Sequence, residues 1–436
     1  MLISIKNLCN SIYRLKNMSE RFLSPFHGGI AVNYSGNVAN IKNPKLEFYP
    51  GSCSVKHGLR KEIDNFFHKS SFHGNQSLEE RVNTCLSMAE ECIKPEELYT
   101  LLSKKDYVPL AYDGFEPSGR MHIAQGLCKV DTVNTMSKIG IKSVIWIADW
   151  HAMLNNKFGG DLQKIRVVGE YFIHIWKAAG MDTDSVKFLW ASDEVDKNPD
   201  LYWRLAMDIS RSFNITRMKR CSQALGRTEG DDQPAAQLLY PAIQCADIFF
   251  IGADLCQLGM DQRKINVLAR YFTFLLNFRR EYCEIRKIPA SPIVLSHRML
   301  PGLLEGQEKM SKSNPNSAVF MDDSAEDVSS KIKKAFCPPG VLDGNPVIAY
   351  FNSIVFKRFP AVTIERKERD GGDVTFNSPK ELNDCFASGS LHPADLKNGL
   401  IKYLNLMLQP IRDYFENNQE AKMLALKVKQ FQSEKK

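Results

Sequence analysis

Val108-Pro-Leu-Ala-Tyr112-Asp-Gly114-Phe-Glu-Pro-Ser-Gly119-Arg-Met-His122-Ile-Ala124-Gln125 decides how the rest of the chain is read. The apolar run Val108–Tyr112 has the length of a buried strand, Asp113-Gly114 ends it in a turn, and helical spacing runs from His122 to about Ile139. The alternation repeats downstream as a strand over Ser143–Ala148, a helix over Leu162–Ala179 and a strand over Val186–Trp190. Strands alternating with helices of this length build βαβ units, so the spacing predicts an α/β fold whose parallel sheet has helices on both faces. Ligands of such sheets sit beyond the carboxyl ends of the strands. Gly114, Gly119 and His122 fall there.

Two helices are expected just upstream, over Leu78–Cys92 and Pro95–Ser103. Before them, loop formers such as Asn33-Tyr-Ser-Gly-Asn and His73-Gly-Asn dominate, which suits an appended segment of low structural content. Its start differs. Leu2, Ile5, Leu8, Ile12 and Leu15 recur at helical spacing among Lys6, Arg14, Lys16 and Arg21, a basic amphipathic pattern that fits an organellar targeting peptide and equally a surface helix or a tail. Beyond about Asp322 the patterns are helical: Glu326–Phe336, Pro346–Phe356, Pro393–Phe415 and Glu420–Phe431. The expected organisation is an extension over 1–77, a sheet-containing domain over 78–322 and a mostly helical domain over 323–436.

Composition narrows the function classes. With 44% hydrophobic and 25% charged residues in 436, the chain is neither fibrous nor wholly disordered. No apolar run approaches the ~20 residues of a membrane helix, and the fullest stretches, Val144–Ala148 and Ile248–Ala253, read as strand-sized. Eleven cysteines without a C-x-x-C suggest neither a zinc site nor a disulfide framework, and fit a reducing compartment. The net charge of +7 is uneven: Met1–Leu78 holds ten Lys/Arg against four Asp/Glu, while Glu79–Asp322 holds 30 against 31. Nucleic-acid contact by the folded part must therefore rest on local patches.

Three constellations carry chemistry. In the opening stretch, Gly114 and Gly119 let backbone approach a ligand, and the helix start at His122 offers N–H groups and an imidazole to an anion. The same residues would also serve as a plain cap. The loop Gly306-Gln-Glu-Lys309-Met310-Ser311-Lys312-Ser313 suits a mobile clamp on a polyphosphate, or a solvated basic loop. In Tyr240-Pro-Ala-Ile-Gln244-Cys-Ala-Asp247, the i, i+4, i+7 spacing puts three polar groups on one face of an apolar helix. Such groups need partners, either a ligand or a bonded core stripe.

His122-Ile-Ala-Gln125 and Lys309-Met-Ser-Lys-Ser313 together resemble the paired signatures of the class I aminoacyl-tRNA synthetases; Ala124 and Gln125 depart from the first, and the second is matched letter for letter. With the Tyr240 stripe and Gly259-Met-Asp261-Gln262-Arg263-Lys264, the sequence from about Leu78 onward is similar to the tyrosyl-tRNA synthetases of archaeal and eukaryotic type, nearest the plant and protist branch. The resemblance implies a Rossmann-type catalytic domain followed by an anticodon-binding domain, with two-step, ATP-dependent charging of tRNA(Tyr) with L-tyrosine. His122, Lys309 and Lys312 would stabilise phosphate charge. Tyr112 and Asp247 would hold the phenol hydroxyl, and Tyr240, Gln244 and Gln262 the amino and carboxylate end. Gly114, His122, Ala124, Asp261 and Lys309 through Ser313 (Met310 and Ser311 included) would face ATP, which brings Mg²⁺ on its phosphates. Arg263 and Lys264 would meet the acceptor stem, and Asp395, in Ser390-Leu-His392-Pro-Ala-Asp395-Leu-Lys397, the first anticodon base.

A buried Asp and Tyr aimed at one hydroxyl are left unpaired by phenylalanine; enzymes of this family are the standard instance of that rule, rejecting phenylalanine by about 10⁵. The family often carries an aromatic residue where Asp370 precedes Gly371-Gly372, which implies weaker stacking on the anticodon here. The resemblance further implies a cytoplasmic homodimer. A tryptophanyl-tRNA synthetase and a non-catalytic RNA-binding descendant are the alternatives.

Overall fold

The computed structural model describes residues 59–67, 74–222, 234–277, 291–310 and 314–434. The basic start of the chain and Ser311, Lys312 and Ser313 lie outside the described residues. The central sheet has β1 (Glu91–Ile93), β2 (Leu110–Phe115), β3 (Lys142–Ile147), β4 (Val186–Trp190), β5 (Leu255–Gly259) and β6 (Ile293–His297), in the order β1-β6-β5-β2-β3-β4. β2 through β6 are parallel. β1 adds an antiparallel edge to the all-parallel sheet expected. The chain steps from β2 outward to β3 and β4, then returns to β2's other side with β5 and β6, so the order reverses between β2 and β5. That reversal opens the crevice in which such sheets bind ligands.

Side-chain alternation sorts the two faces. Ile145 and Ile147 of β3 join the core with the Ile123–Lys138 and Leu162–Ala178 helices, whereas Val144 and Trp146 join the core with the Pro199–Ser212, Ala235–Ile251 and Arg263–Asn277 helices. The same rule turns Tyr112 towards the Ala235–Ile251 side and Asp113 towards Lys129 of the opposite helix.

Several elements differ from the sequence reading. Asp113 and Gly114 do not turn the chain; they continue β2 because Ile145 and Trp146 of β3 pair with them. Ile248–Ala253 is not a strand: it closes the Ala235–Ile251 helix, which Gly252 ends at φ 72°. The Leu78–Cys92 helix stops at Ser87, and Cys92 lies in β1. Within the supposedly unstructured extension, the Leu59–Phe66 helix buries Leu59 and Ile63, and Arg60 donates to the Gly252 carbonyl (2.5 Å) and pairs with Asp254 (3.2 Å). The run Pro346–Phe356 breaks into a short α turn, a π turn over Phe351–Val355 and a last α turn. A small antiparallel pair, β7 (Val362–Ile364) with β8 (Val374–Phe376), was not foreseen.

The C-terminal helices share a core with the sheet. Leu396, Leu400, Leu404 and Ile411 of the Pro393–Asn417 helix belong to the same buried cluster as Ile123, Leu127 and Phe172. The seam is stitched by backbone: Ile123 N donates to Val319 O (2.9 Å) and Met321 N to Met121 O (2.8 Å), around a His122–Phe320 bridge. Charge reinforces it. Arg120 donates to Asp322 (2.9 Å) and Asp323 (2.8 Å), and Lys331 takes the other oxygen of Asp323 (2.6 Å), whose side chain is 1% exposed.

Candidate active site

A cavity of about 460 Å³ opens at the carboxyl ends of β2 and β5, a size suited to a small-molecule site. Of the residues singled out from sequence, Tyr112, Gly114, His122, Ala124, Tyr240, Gln244, Asp261, Gln262, Lys309 and Met310 all line it. A Cβ on Gly114 would sit 2.6 Å from the Tyr112 hydroxyl, so only glycine leaves that hydroxyl its place.

His122 is the N-cap of the Ile123–Lys138 helix; its Nδ1 accepts from Gln125 N at 3.4 Å. An accepting Nδ1 leaves the proton on Nε2, so the cap also fixes the tautomer that can donate. Asp261 follows β5 in the short Met260–Gln262 turn, with Lys309 Nζ 3.6 Å from its carboxylate. Gln244 Nε2 donates to Gln262 Oε1 (3.3 Å), joining two residues read as holding one end of the same ligand.

Asp247 is placed differently from the others. It is fully buried and is not itself a lining residue, with Oδ1 accepting from the Tyr202 hydroxyl at 2.7 Å and the cavity-lining Tyr112 hydroxyl beside its carboxyl, which burial raises well above the usual range. Burial likewise raises the Tyr112 phenol, with the Asp247 charge adding to it.

Arg263 and Lys264 start the Arg263–Asn277 helix and do not line the cavity. Arg263 is engaged with the Glu91 carboxylate on β1 (2.7 Å from Nη2). Asp395 lies in the first turn of the Pro393–Asn417 helix, capped by His392 Nδ1 on Ala394 N (3.1 Å). Arg366 ties that region to the Asp370-Gly371-Gly372 turn, donating to Gly372 O (2.8 Å) and Ser390 O (3.2 Å). The two segments linked to the anticodon by resemblance are thus neighbours.

Sequence reading passed over several lining groups. Glu116 accepts from Asn155 (2.6 Å) and from the Tyr240 hydroxyl (3.4 Å), placing a carboxylate at the polar end of the stripe. Lys129 pairs with Asp113 and donates to Gln257 (3.1 Å), and Gln257 meets His297, whose Nδ1 lies 2.9 Å from Met88 O. Burial pushes Asp113 up to about 6, with Lys129 opposing the shift. His151 lies in the wall beside Tyr240. Glu116 stood within the quoted opening stretch and could have been found as a charge beside two glycines. Lys129, Gln257 and His297 come from three separate elements and carry no local signal.

Comparison with known proteins agrees with this geometry. Residues 105–409 match the family described as tRNA synthetases class I (W and Y). The cytoplasmic tyrosine–tRNA ligase 1 of Arabidopsis thaliana is 54% identical over 360 residues, 83% of this chain and 91% of that one. The Leishmania major tyrosyl-tRNA synthetase in complex with tyrosinol superposes with a TM-score of 0.74 at 45% identity, over 82% of this chain but only 53% of that chain. This chain thus spans about half the length of the Leishmania protein. The Pyrococcus horikoshii tyrosyl-tRNA synthetase complexed with L-tyrosine gives 0.73 at 36% identity, over 80% of this chain and 99% of that chain. On this footing the chain belongs to the class I aminoacyl-tRNA synthetases, in the tyrosyl-tRNA synthetase family.

Proposed function

We propose that this protein activates L-tyrosine with ATP and transfers it to tRNA(Tyr). The observation that carries the reading is the single cavity in which the amino-acid set (Tyr112, Tyr240, Gln244, Gln262) adjoins the nucleotide set (His122, Ala124, Asp261, Lys309). The tyrosine carboxylate is already a nucleophile, so no general base is needed. It attacks the α-phosphorus, forming the acyl–phosphate bond of tyrosyl-adenylate as the bond to pyrophosphate breaks. A terminal tRNA hydroxyl then takes the tyrosyl group and AMP leaves. Catalysis is positioning plus stabilisation of phosphate charge. His122 donates through Nε2, and Lys309 turns from Asp261 to the phosphates as ATP, with its Mg²⁺, occupies the site; Ser311, Lys312 and Ser313 join it on the sequence resemblance alone.

Arg263 and Lys264 suit the acceptor stem. A solvent-facing pair such as Arg263–Glu91 is worth only about 0–1 kcal/mol, so releasing Arg263 to a guanine edge costs little. Asp395 suits the anticodon, within a helical domain over 323–436 that follows a catalytic domain over 78–322 onto which the Leu59–Phe66 helix packs. A cytoplasmic homodimer completes the reading. Pyrophosphate exchange with ATP and either tyrosine or tryptophan, followed by aminoacylation, tests it: exchange with tyrosine alone is expected, and exchange with neither refutes it. His122→Ala and Lys309→Ala should each slow adenylate formation by about 10²–10³ while tyrosine binding stays near wild type. Unchanged pre-steady-state rates refute the assigned roles.

A further inference from the structure

We propose that His151 is a specificity-determining residue, a third reader of the substrate's phenol hydroxyl beside Tyr112 and Asp247. The proposal rests on the tyrosine reading of the site and deepens it.

His151 sits in the Asp149–Leu154 helix that follows β3, at the carboxyl end of the sheet. That helix start is held rigidly: Asp149 Oδ1 accepts from Trp150 N (2.9 Å) and Ser192 N (3.0 Å), and Oδ2 from Ser192 Oγ (2.5 Å). The imidazole is 2% exposed, lines the cavity, and meets the Tyr240 ring edge-on at 4.7 Å and 85°. Its plane is therefore fixed. Neither ring nitrogen makes a hydrogen bond. Nε2 lies 3.4 Å from Asp247 Oδ2, while Tyr202 takes Oδ1 and the Tyr112 hydroxyl and Trp146 indole also face the carboxyl.

A buried imidazole whose ring nitrogens make no hydrogen bond within the protein is costly unless a ligand supplies the partner. Burial lowers the His151 pKa to about 3, so the ring is neutral and offers one N–H and one lone pair. A phenol hydroxyl placed by Tyr112 has the complementary set: one hydrogen for Asp247 and two lone pairs for the donors of Tyr112 and His151. Phenylalanine supplies none of these and leaves the imidazole unpaired.

The test is pyrophosphate exchange with tyrosine and with phenylalanine for wild type, His151→Leu and His151→Gln. His151→Leu should lower the tyrosine-to-phenylalanine ratio of kcat/KM by about 10- to 100-fold, chiefly through the KM for tyrosine, with the KM for ATP unchanged. His151→Gln, which keeps an N–H, should recover part of the ratio. A merely structural role would depress both amino acids alike; that result, or an unchanged ratio, overturns the proposal. In wild type, the His151 imidazole ¹⁵N resonances should move on adding tyrosine and not on adding phenylalanine. The absence of a tyrosine-specific shift overturns the proposal even where His151→Leu fails to fold. Wild-type protein that exchanges with no tyrosine refutes the tyrosine reading itself, separately from the role of His151.

Discussion

Arg120 stands two residues before His122 and reaches across the seam to Asp322 and Asp323, so removing it should loosen both the junction and the site. Its side chain is 17% exposed and that of Asp323 only 1%. Breaking a buried pair by deleting one partner costs about 3–5 kcal/mol. Lys331 remains on Asp323 at 2.6 Å and Lys429 near Asp322 at 3.7 Å, so Arg120→Met should fall below that range, at about 2–3 kcal/mol. The guanidinium also covers the Phe320 ring at 4.4 Å, and methionine keeps part of that packing. Urea denaturation of wild type, Arg120→Met, Asp323→Asn and the double variant gives the cycle, with an expected coupling of about 1–3 kcal/mol. Adenylate formation should slow in Arg120→Met while tyrosine affinity holds, because the His122 backbone is bonded on both sides to the segment Arg120 anchors. Additivity within about 0.5 kcal/mol, together with a normal adenylate rate, would refute the reasoning.

Acid should destabilise the fold through two imidazoles. Burial holds both His151 and His297 down to about 3, Lys129 adding to the effect on His297, whereas in the unfolded chain they titrate near the ordinary ~6.5. The unfolded state binds the protons first, so their contribution is complete above ~6.5 and is lost as pH falls towards 3, by up to about 1.4 kcal/mol per pH unit for each. Urea midpoints between pH 4.5 and 7 should show His297→Gln losing roughly half of that slope; an unaltered slope counts against it. A methyl added at Gly126 would lie 2.2 Å from Sδ of the fully buried Met321. Gly126→Ala should therefore cost about 1–3 kcal/mol by overpacking, seen as a lower urea midpoint; no change would mean that Met321 has room to swing. Exposed Asp370 offers no ring to stack on, and stacking is worth about 1–3 kcal/mol per base, so Asp370→Trp should sharpen discrimination between wild-type and anticodon-altered tRNA(Tyr). Equal kcat/KM ratios in the two proteins would rule that out.

What was legible in the sequence was what is local. β3 and β4 appear within a residue of their expected limits because their apolar runs are continuous and their neighbours are turns. The Pro393–Asn417 and Gln419–Ser433 helices were readable because proline and asparagine open them and long apolar stripes sustain them. β5 and β6 were not read, since Gln257 and Ser296 interrupt their apolar pattern and the sheet, not the local sequence, buries them. The cavity was legible wherever residues repeat a family pattern. The bond from Tyr202 to Asp247, and the placement of His151 against Asp247, depend on helices brought together only in three dimensions.

The bridge between His122 and Phe320 also bears on synthesis at the ribosome. The segment that caps the first catalytic helix obtains its backbone partners nearly 200 residues later, at Val319 and Met321, and loop closure over such a span is slow. A nascent chain halted before Val319 can build β2, β3 and β4 in order, yet it leaves Met121 O and Ile123 N, on either side of His122, without these partners. Competence to activate an amino acid therefore arises late in synthesis, when the seam closes, and truncated chains released earlier carry the sheet without a finished site.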